Sequence, residues 1–299
     1  MLSLFQVRAV IADNHSTNVN AFSRLYDLYG DRNRPNVITH PSSSKQIYLF
    51  YDSVHLLKNI RNNLLNARRF IFPPFSFEEF SEEVYVSGGE IAWKLFYNVS
   101  EADKTLPGQL KKAPKLSNET LHPGNNKQNV TLALNIFDRT TAVAITEYFP
   151  SRKDASEFLK LISIWWAISN SKVRYNPSFP LGNAAVKDDK KPLFLRKFAD
   201  WIEGWQDLYK SRSQKYALTT QTSHALVTTL RCTAALIEDL LHEGYDFVLT
   251  SRFQTDPLER LFSRYRQMSG GRFLVSLREV NNTERVIAIA SLLKESIHF

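Results

Sequence analysis

Near the C-terminal end of the sequence, two carboxylates open a short arginine-rich pattern, SRFQTDPLERLFSRYRQMSGG at 251–271. Asp256 and Glu259 stand at its start, and Arg260, Arg264 and Arg266 follow within two helical turns. Carboxylates hold hard divalent cations through oxygen, and guanidinium groups hold phosphates. Acids set among arginines therefore suit phosphodiester chemistry. A structural reading fits the same residues. With Asp256 as N-cap, Pro257 is the first helical residue and Glu259 completes a capping box. Leu258, Leu261, Phe262 and Tyr265 then form a buried face. Spacing does not separate a capping glutamate from one that binds metal.

Two more aspartates sit where strands should end. The apolar run at 7–12, broken only by Arg8, reads as a buried strand that delivers Asp13 to the start of a helix at 14–29. Residues 46–51 repeat the pattern and deliver Asp52 to a helix at 53–65. Asp13 suits a metal ligand at a sheet edge, and equally an ordinary N-cap. Along the second helix, Leu56, Leu57, Ile60 and Leu64 form an apolar stripe. His55, Lys58, Asn59, Asn62 and Asn66 form a polar one, flanked by Arg61. Those donors either line a phosphate backbone or face solvent.

Elements must bring these groups together. Two successive strand–helix units with acids at strand ends predict a sheet with crossover helices. The 30–44 stretch reads as turn, and the FPPFSF segment at 72–77 breaks the pattern. From there to about 222 the chain reads as mostly helical, with helices at 153–169 and 194–209 and polar links at 104–129 and 176–192. A long helix at 224–244, a short strand at 247–250, the Asp256 helix closing at Gly270-Gly271 and a last helix at 282–294 complete the reading. The α/β units at the two ends imply a split α/β domain with a helical insertion.

Composition sets the outer bounds. The chain has 299 residues, 43% of them hydrophobic, enough for a sizeable core. A formal net charge of +8 favours polyanionic partners. Residues 251–278 hold six arginines against two acids, a local net of +4. The single cysteine, Cys232, excludes an internal disulfide or thiolate zinc site and lies in an apolar helical pattern. No P-loop, H-E-x-x-H or G-x-S-x-G motif occurs. No apolar run is long enough for a membrane span, and the first residues lack a signal-peptide cleavage site.

Taken together, several segments resemble the P-element-type transposases, which include the THAP-domain transposases of animals. The matching pieces are VIADNHSTNV at 10–19, YLFYDSVHLLKNIRNNLL at 48–65, LSNETLHPGNNKQNVTLALNIF at 116–137, WWAISNSK at 165–172 and TSRFQTDPLERLFSRYRQMSGGRF at 250–273. The resemblance implies an α/β plus α fold: a partial RNase H-like domain at 1–72 and 223–299, interrupted by a largely helical GTP-binding insertion at 73–222. It implies a DDE set holding Mg²⁺ for DNA cleavage and strand transfer, with Asp13 and Glu259 catalytic and Asp256 a further metal-ligand candidate. DNA-contact candidates are His55, Lys58, Arg61, Arg260, Arg264 and Arg266. DNA and GTP are the expected partners, with a homo-oligomer and a nuclear location in keeping. The family's first catalytic Asp has no counterpart here, so the expectation is an N-terminally truncated transposase, inactive alone. The rival is a domesticated DNA- or GTP-binding protein without chemistry.

Overall fold

The computed structural model describes residues 6–66, 69–107, 110–210, 216–272 and 274–296; residues 1–5 lie outside this set. Two compact units emerge, residues 1–253 and 254–299.

The first unit starts with the expected strand–helix–strand–helix run. Strand β1 (Ala9–Ala12) leads to α1 (Ser16–Tyr29), and β3 (Gln46–Tyr51) leads to α2 (Ser53–Leu65). β1 and β3 are parallel, in a register that sets Ala9 opposite Tyr48 and Ala12 opposite Tyr51. Between them lies a strand hidden in the turn-rich stretch. β2 (Val37–Thr39) pairs antiparallel with β3, so the sheet order is β1-β3-β2. Its three residues, VIT, are β-formers too few to show a period. All of Ile47, Tyr48, Leu49, Phe50 and Tyr51 are buried, as expected of a central strand covered on both faces.

The break at FPPFSF is two small antiparallel ribbons rather than a passage into helix. β4 (Arg69–Phe72) pairs with β7 (Gly89–Ala92), and β5 (Phe75–Phe77) pairs with β6 (Val84–Val86). Pro73 and Pro74 separate β4 from β5, and proline ends a strand because it cannot donate to the ladder. Gly89, at φ 156°, admits Asp154, whose Oδ2 accepts from the Glu90 N–H at 2.8 Å. A Cβ there would stand 2.4 Å from that carboxylate oxygen.

Helices follow from residue 94. They are α3 (Lys94–Asp103), α4 (Asn118–Leu121), α5 (Val130–Ile136), α6 (Arg139–Tyr148), α7 (Lys153–Ser169), α8 (Lys191–Tyr209) and α9 (Thr220–His242). The 104–129 link is therefore partly structured, and it buries Ala113, Leu116, Thr120 and Leu121. No strand forms at 247–250; Val248 makes an isolated bridge to Ala185. α8 and α9 pack against each other, and α9 covers β3. Phe70, Phe72, Phe158 and Trp205 form an aromatic knot, with Phe72 stacked on Phe158 at 4.7 Å between ring centres. Trp205 Nε1 donates to Ile71 O at 2.7 Å, so its polar edge is satisfied inside the core. Cys232 is buried beside Leu49 O, and burial pushes its thiol up to about 12.

The second unit contains α10 (Asp256–Met268) and α11 (Leu277–Ser296). Its buried Tyr265 on α10 donates to Glu284 on α11. Among the described residues no helix is long and apolar enough to cross a membrane.

Phe158→Ala should cost about 3–5 kcal/mol, because it opens a cavity at the centre of the aromatic knot. Urea unfolding monitored by tryptophan fluorescence measures it, and a loss under about 1 kcal/mol would contradict the described packing.

Candidate functional site

The parallel pairing of β1 and β3 sets Asp13 and Asp52 side by side. Asp13 follows Ala12 and Asp52 follows Tyr51, and those two strand residues are register partners. The Asp52 N–H donates to Ala12 O at 2.9 Å, so the ladder closes directly beneath the two acids. The carboxyl end of parallel strands is where open α/β sheets place their ligands.

Asp13 is half-buried. Its Oδ1 accepts from Asn18 Nδ2 at 2.6 Å and from the His15 N–H at 3.1 Å, bonds that turn the chain into α1. The N-cap of α1 is His15, whose Nδ1 accepts from the Thr17 N–H at 3.3 Å. The capping explanation for Asp13 therefore gives way to a local turn. Asp52 is the true N-cap of α2, wholly buried, with Oδ1 accepting from the Val54 N–H at 2.8 Å. His55 lies one turn further on, and a ring nitrogen lies within 4.8 Å of an Asp52 oxygen. Carboxylate oxygen and imidazole nitrogen together form an acidic/His group of the kind that accepts a divalent cation.

The polar stripe of α2 is not a solvated face. Lys58 is buried, His55, Asn59 and Asn62 are half-buried, the flanking Arg61 is fully buried, and Asn66 at the end of the stripe is exposed. Arg61 Nη2 donates to Lys127 O at 2.7 Å, and burial pushes its pKa down. Asn63 joins the N-terminal end of α9, where its Oδ1 accepts from the Thr219 N–H at 2.6 Å.

In the second unit, Asp256 is the first residue of α10 rather than its cap. Thr255 is the cap, with a helical backbone and no side-chain capping bond. The capping box read from Asp256 therefore does not form. Glu259 receives a 3.4 Å bond from Thr255 Oγ1. Arg260 and Arg264 are exposed, and Arg266 is half-buried.

A second feature of the first unit is a cavity of about 410 Å³ whose walls include Leu57 of α2, Phe137, Trp166 and Phe179, with Lys115, Asp138 and Lys172 as charged groups. Asp138 caps α6, accepting from the Thr140 N–H at 2.9 Å, and also accepts from Lys115 Nζ at 2.6 Å. Burial pushes the Asp138 pKa up, but the bonds from Lys115 and Thr140 outweigh it and hold the carboxyl below the usual aspartate value. Lys115 is fixed from both sides. Upstream, the buried Asp103 carboxylate accepts from the Ala113 N–H at 2.8 Å, the Lys112 N–H at 3.0 Å and the Tyr148 hydroxyl. Downstream, Thr120 Oγ1 donates to Lys115 O at 3.0 Å. None of the lining residues carries a motif of its own. Leu134, Phe137, Trp166, Ala167, Asn170 and Lys172 nevertheless fall inside two segments that carry the family resemblance, which was the available signal.

The fold and its paired acids belong to the class of mixed α/β proteins with strand-end carboxylates. No family model and no curated relative matches the sequence. Among solved structures, the chain is similar to the Drosophila P element transposase strand transfer complex. The TM-score is 0.75 at 19% identity, covering 96% of this chain and 61% of that one. This chain therefore has a P-element-transposase-like fold and spans about three-fifths of the matched chain's length.

Burial raises the Asp103 pKa, but the Tyr148 and backbone bonds lower it further, leaving it below the ordinary value. Its stabilisation is therefore full above the unfolded pKa of about 3.9 and is lost as pH falls through the lower folded one. Asp103→Asn should destabilise the protein by about 1–3 kcal/mol at neutral pH. The gap to wild type should close as the solution is acidified below about pH 4. Denaturation midpoints across that range decide it, and a gap that stays constant would refute the carboxylate's role.

Proposed function

We propose that this chain is a P-element-type transposase polypeptide whose ancestral chemistry is Mg²⁺-dependent DNA strand cleavage and transfer, and which is inactive alone. What carries the reading is the shared fold over 96% of the chain, in which Asp13 and Asp52 stand together at parallel strand ends. On this reading 1–72 and 223–299 are parts of an RNase H-like domain and 73–222 is a GTP-binding insertion. A homo-oligomer working on DNA in the nucleus fits the same ancestry.

Asp52 and His55 would offer donors to the divalent cation, and Asp13 stands at the neighbouring strand end. The oxygens suit Mg²⁺, and the imidazole would favour Mn²⁺. When bound, such an ion stabilises charge on the phosphodiester and activates the attacking water or hydroxyl. Glu259 and Asp256 enter through their sequence motif. The arginines of α10 suit DNA phosphates. The inactivity is proposed because Asp13 and Glu259, the two catalytic acids the resemblance supplies, leave divalent ions under-coordinated.

The cavity would take the guanine nucleotide. Phe137, Trp166 and Phe179 offer faces to a purine ring, and Lys172 offers charge to its phosphates. Asp138 is an acceptor, matched to the N–H donors on guanine's pairing edge and mismatched to adenine.

A binding protein without chemistry is the second reading. It is favoured by the hydrogen bonds that already engage both carboxylates locally, Asp13 with Asn18 and Asp52 with the Val54 N–H.

Incubated with Mg²⁺ or Mn²⁺, GTP and plasmid or terminal-repeat DNA, the chain alone should leave the DNA intact. Metal-dependent nicking that disappears in Asp13→Asn and Glu259→Gln would overturn the inactivity and confirm the acids. Duplex binding should weaken steeply with salt in either reading and survive both substitutions in the second. Calorimetric titration should show GTP preferred to ATP, with Asp138→Ala weakening GTP by roughly 10- to 100-fold. Equal affinity for both nucleotides would remove Asp138 from the guanine edge.

A further inference from the structure

The loop joining α7 to α8 displays cations and aromatic rings from a pinned base. From 171 to 187 the sequence carries Lys172, Arg174 and Lys187 and no acid. Val173 bridges Asn183, and the Ala184 N–H donates to Val173 O at 2.9 Å. Ala185 and Val248 exchange bonds of 2.9 and 2.8 Å, and the Ser171 N–H donates to Thr250 Oγ1 at 3.0 Å. The tip has its own framework. The Asn176 N–H donates to Asn183 Oδ1 at 2.5 Å, and Asn176 Oδ1 accepts from the Ser178 N–H at 3.0 Å.

What this framework holds outward is aromatic. Tyr175 is 75% exposed and Phe179 46%. Between the base and Tyr175, the Arg174 guanidinium lies over the Phe247 ring at 5.1 Å, which positions the cation without spending its N–H donors. Lys172, Asn176 and Phe179 also line the cavity, so the loop forms part of its wall. Exposed rings beside cations match the chemistry of single-stranded nucleic acid, in which backbone phosphates meet positive charge and base faces meet aromatic side chains. A duplex buries its base faces in its own stack and offers Tyr175 only phosphates and groove edges.

We propose that the 172–180 loop binds single-stranded DNA, with Tyr175 stacking on a base and Arg174 and Lys172 holding the adjoining phosphates. The proposal rests on the DNA-handling reading above, because that reading makes DNA the polyanion. It adds a surface and a strand state.

Fluorescence anisotropy with a labelled thymidine oligonucleotide and with a blunt duplex tests it on the full chain. Tyr175→Ala should weaken single-strand binding about tenfold and change duplex binding by less than about twofold, while Tyr175→Phe keeps the ring and the affinity. Arg174→Gln should lower single-strand affinity and flatten its salt dependence. Unchanged single-strand affinity in Tyr175→Ala, or equal losses for both DNAs, overturns the proposal. Wild-type protein that binds duplex but no single strand overturns it while sparing the functional reading. Binding of neither DNA overturns both.

Discussion

Helix α2 is the constraint on which the first unit depends. Nine of its thirteen residues are buried, among them Leu56, Leu57, Ile60 and Leu64 with no exposure at all. A helix covered nearly all round belongs to the interior, and elements distant along the chain pack on it. α5, α7 and α9 all meet it. Its polar residues serve this position. Arg61 reaches the Lys127 carbonyl, and Asn63 holds the N-terminal end of α9. A buried guanidinium is expensive to desolvate, so its bond fixes one arrangement of α2 against the 122–129 segment rather than several. The same helix is capped by Asp52 and contributes Leu57 to the cavity, so Asp52 and the cavity share one rigid element.

Buried polar groups do comparable work elsewhere. Asp103 gathers two backbone N–H groups and a tyrosine hydroxyl, and so turns an irregular link into a fixed strap that carries Lys115. Trp205 and Trp201 donate to the carbonyls of Ile71 and Pro74, which ties α8 to the paired ribbons around the two prolines. In each case an irregular stretch is held because leaving a buried donor or acceptor unpaired costs more than ordering the chain.

Much of the scaffold was legible in the residues. The second strand and the helix after it have the bounds that periodicity assigns them, and the 153–169 helix matches its pattern end to end. Long elements with strong periodicity carry enough residues for the pattern to show. Elements of three or four residues do not. β2 and the β4–β7 ribbons hid in turn-like or proline-bearing stretches because pairing partners, not local preference, make them strands. The capping residues moved for a similar reason. His15 and Thr255 displaced Asp13 and Asp256 by one or two positions, because helix ends are set by the backbone rather than by side-chain preference.

For the candidate site, the sequence determined which groups exist: aspartates at two strand ends, an acid pair before an arginine-rich helix, and no competing motif for a P-loop or zinc hydrolase. It determined as well that Cys232 would be an inert interior thiol. The tertiary structure alone decided that Asp13 and Asp52 are neighbours, because parallel pairing joins residues that a helix and a further strand separate along the chain. It also decided that Lys58 and Arg61 face inward, and that Lys115, Asp138 and Trp166 line one cavity. The reason is physical. Periodicity records which side of an element is apolar, but what covers the polar side depends on distant segments whose packing no local pattern encodes.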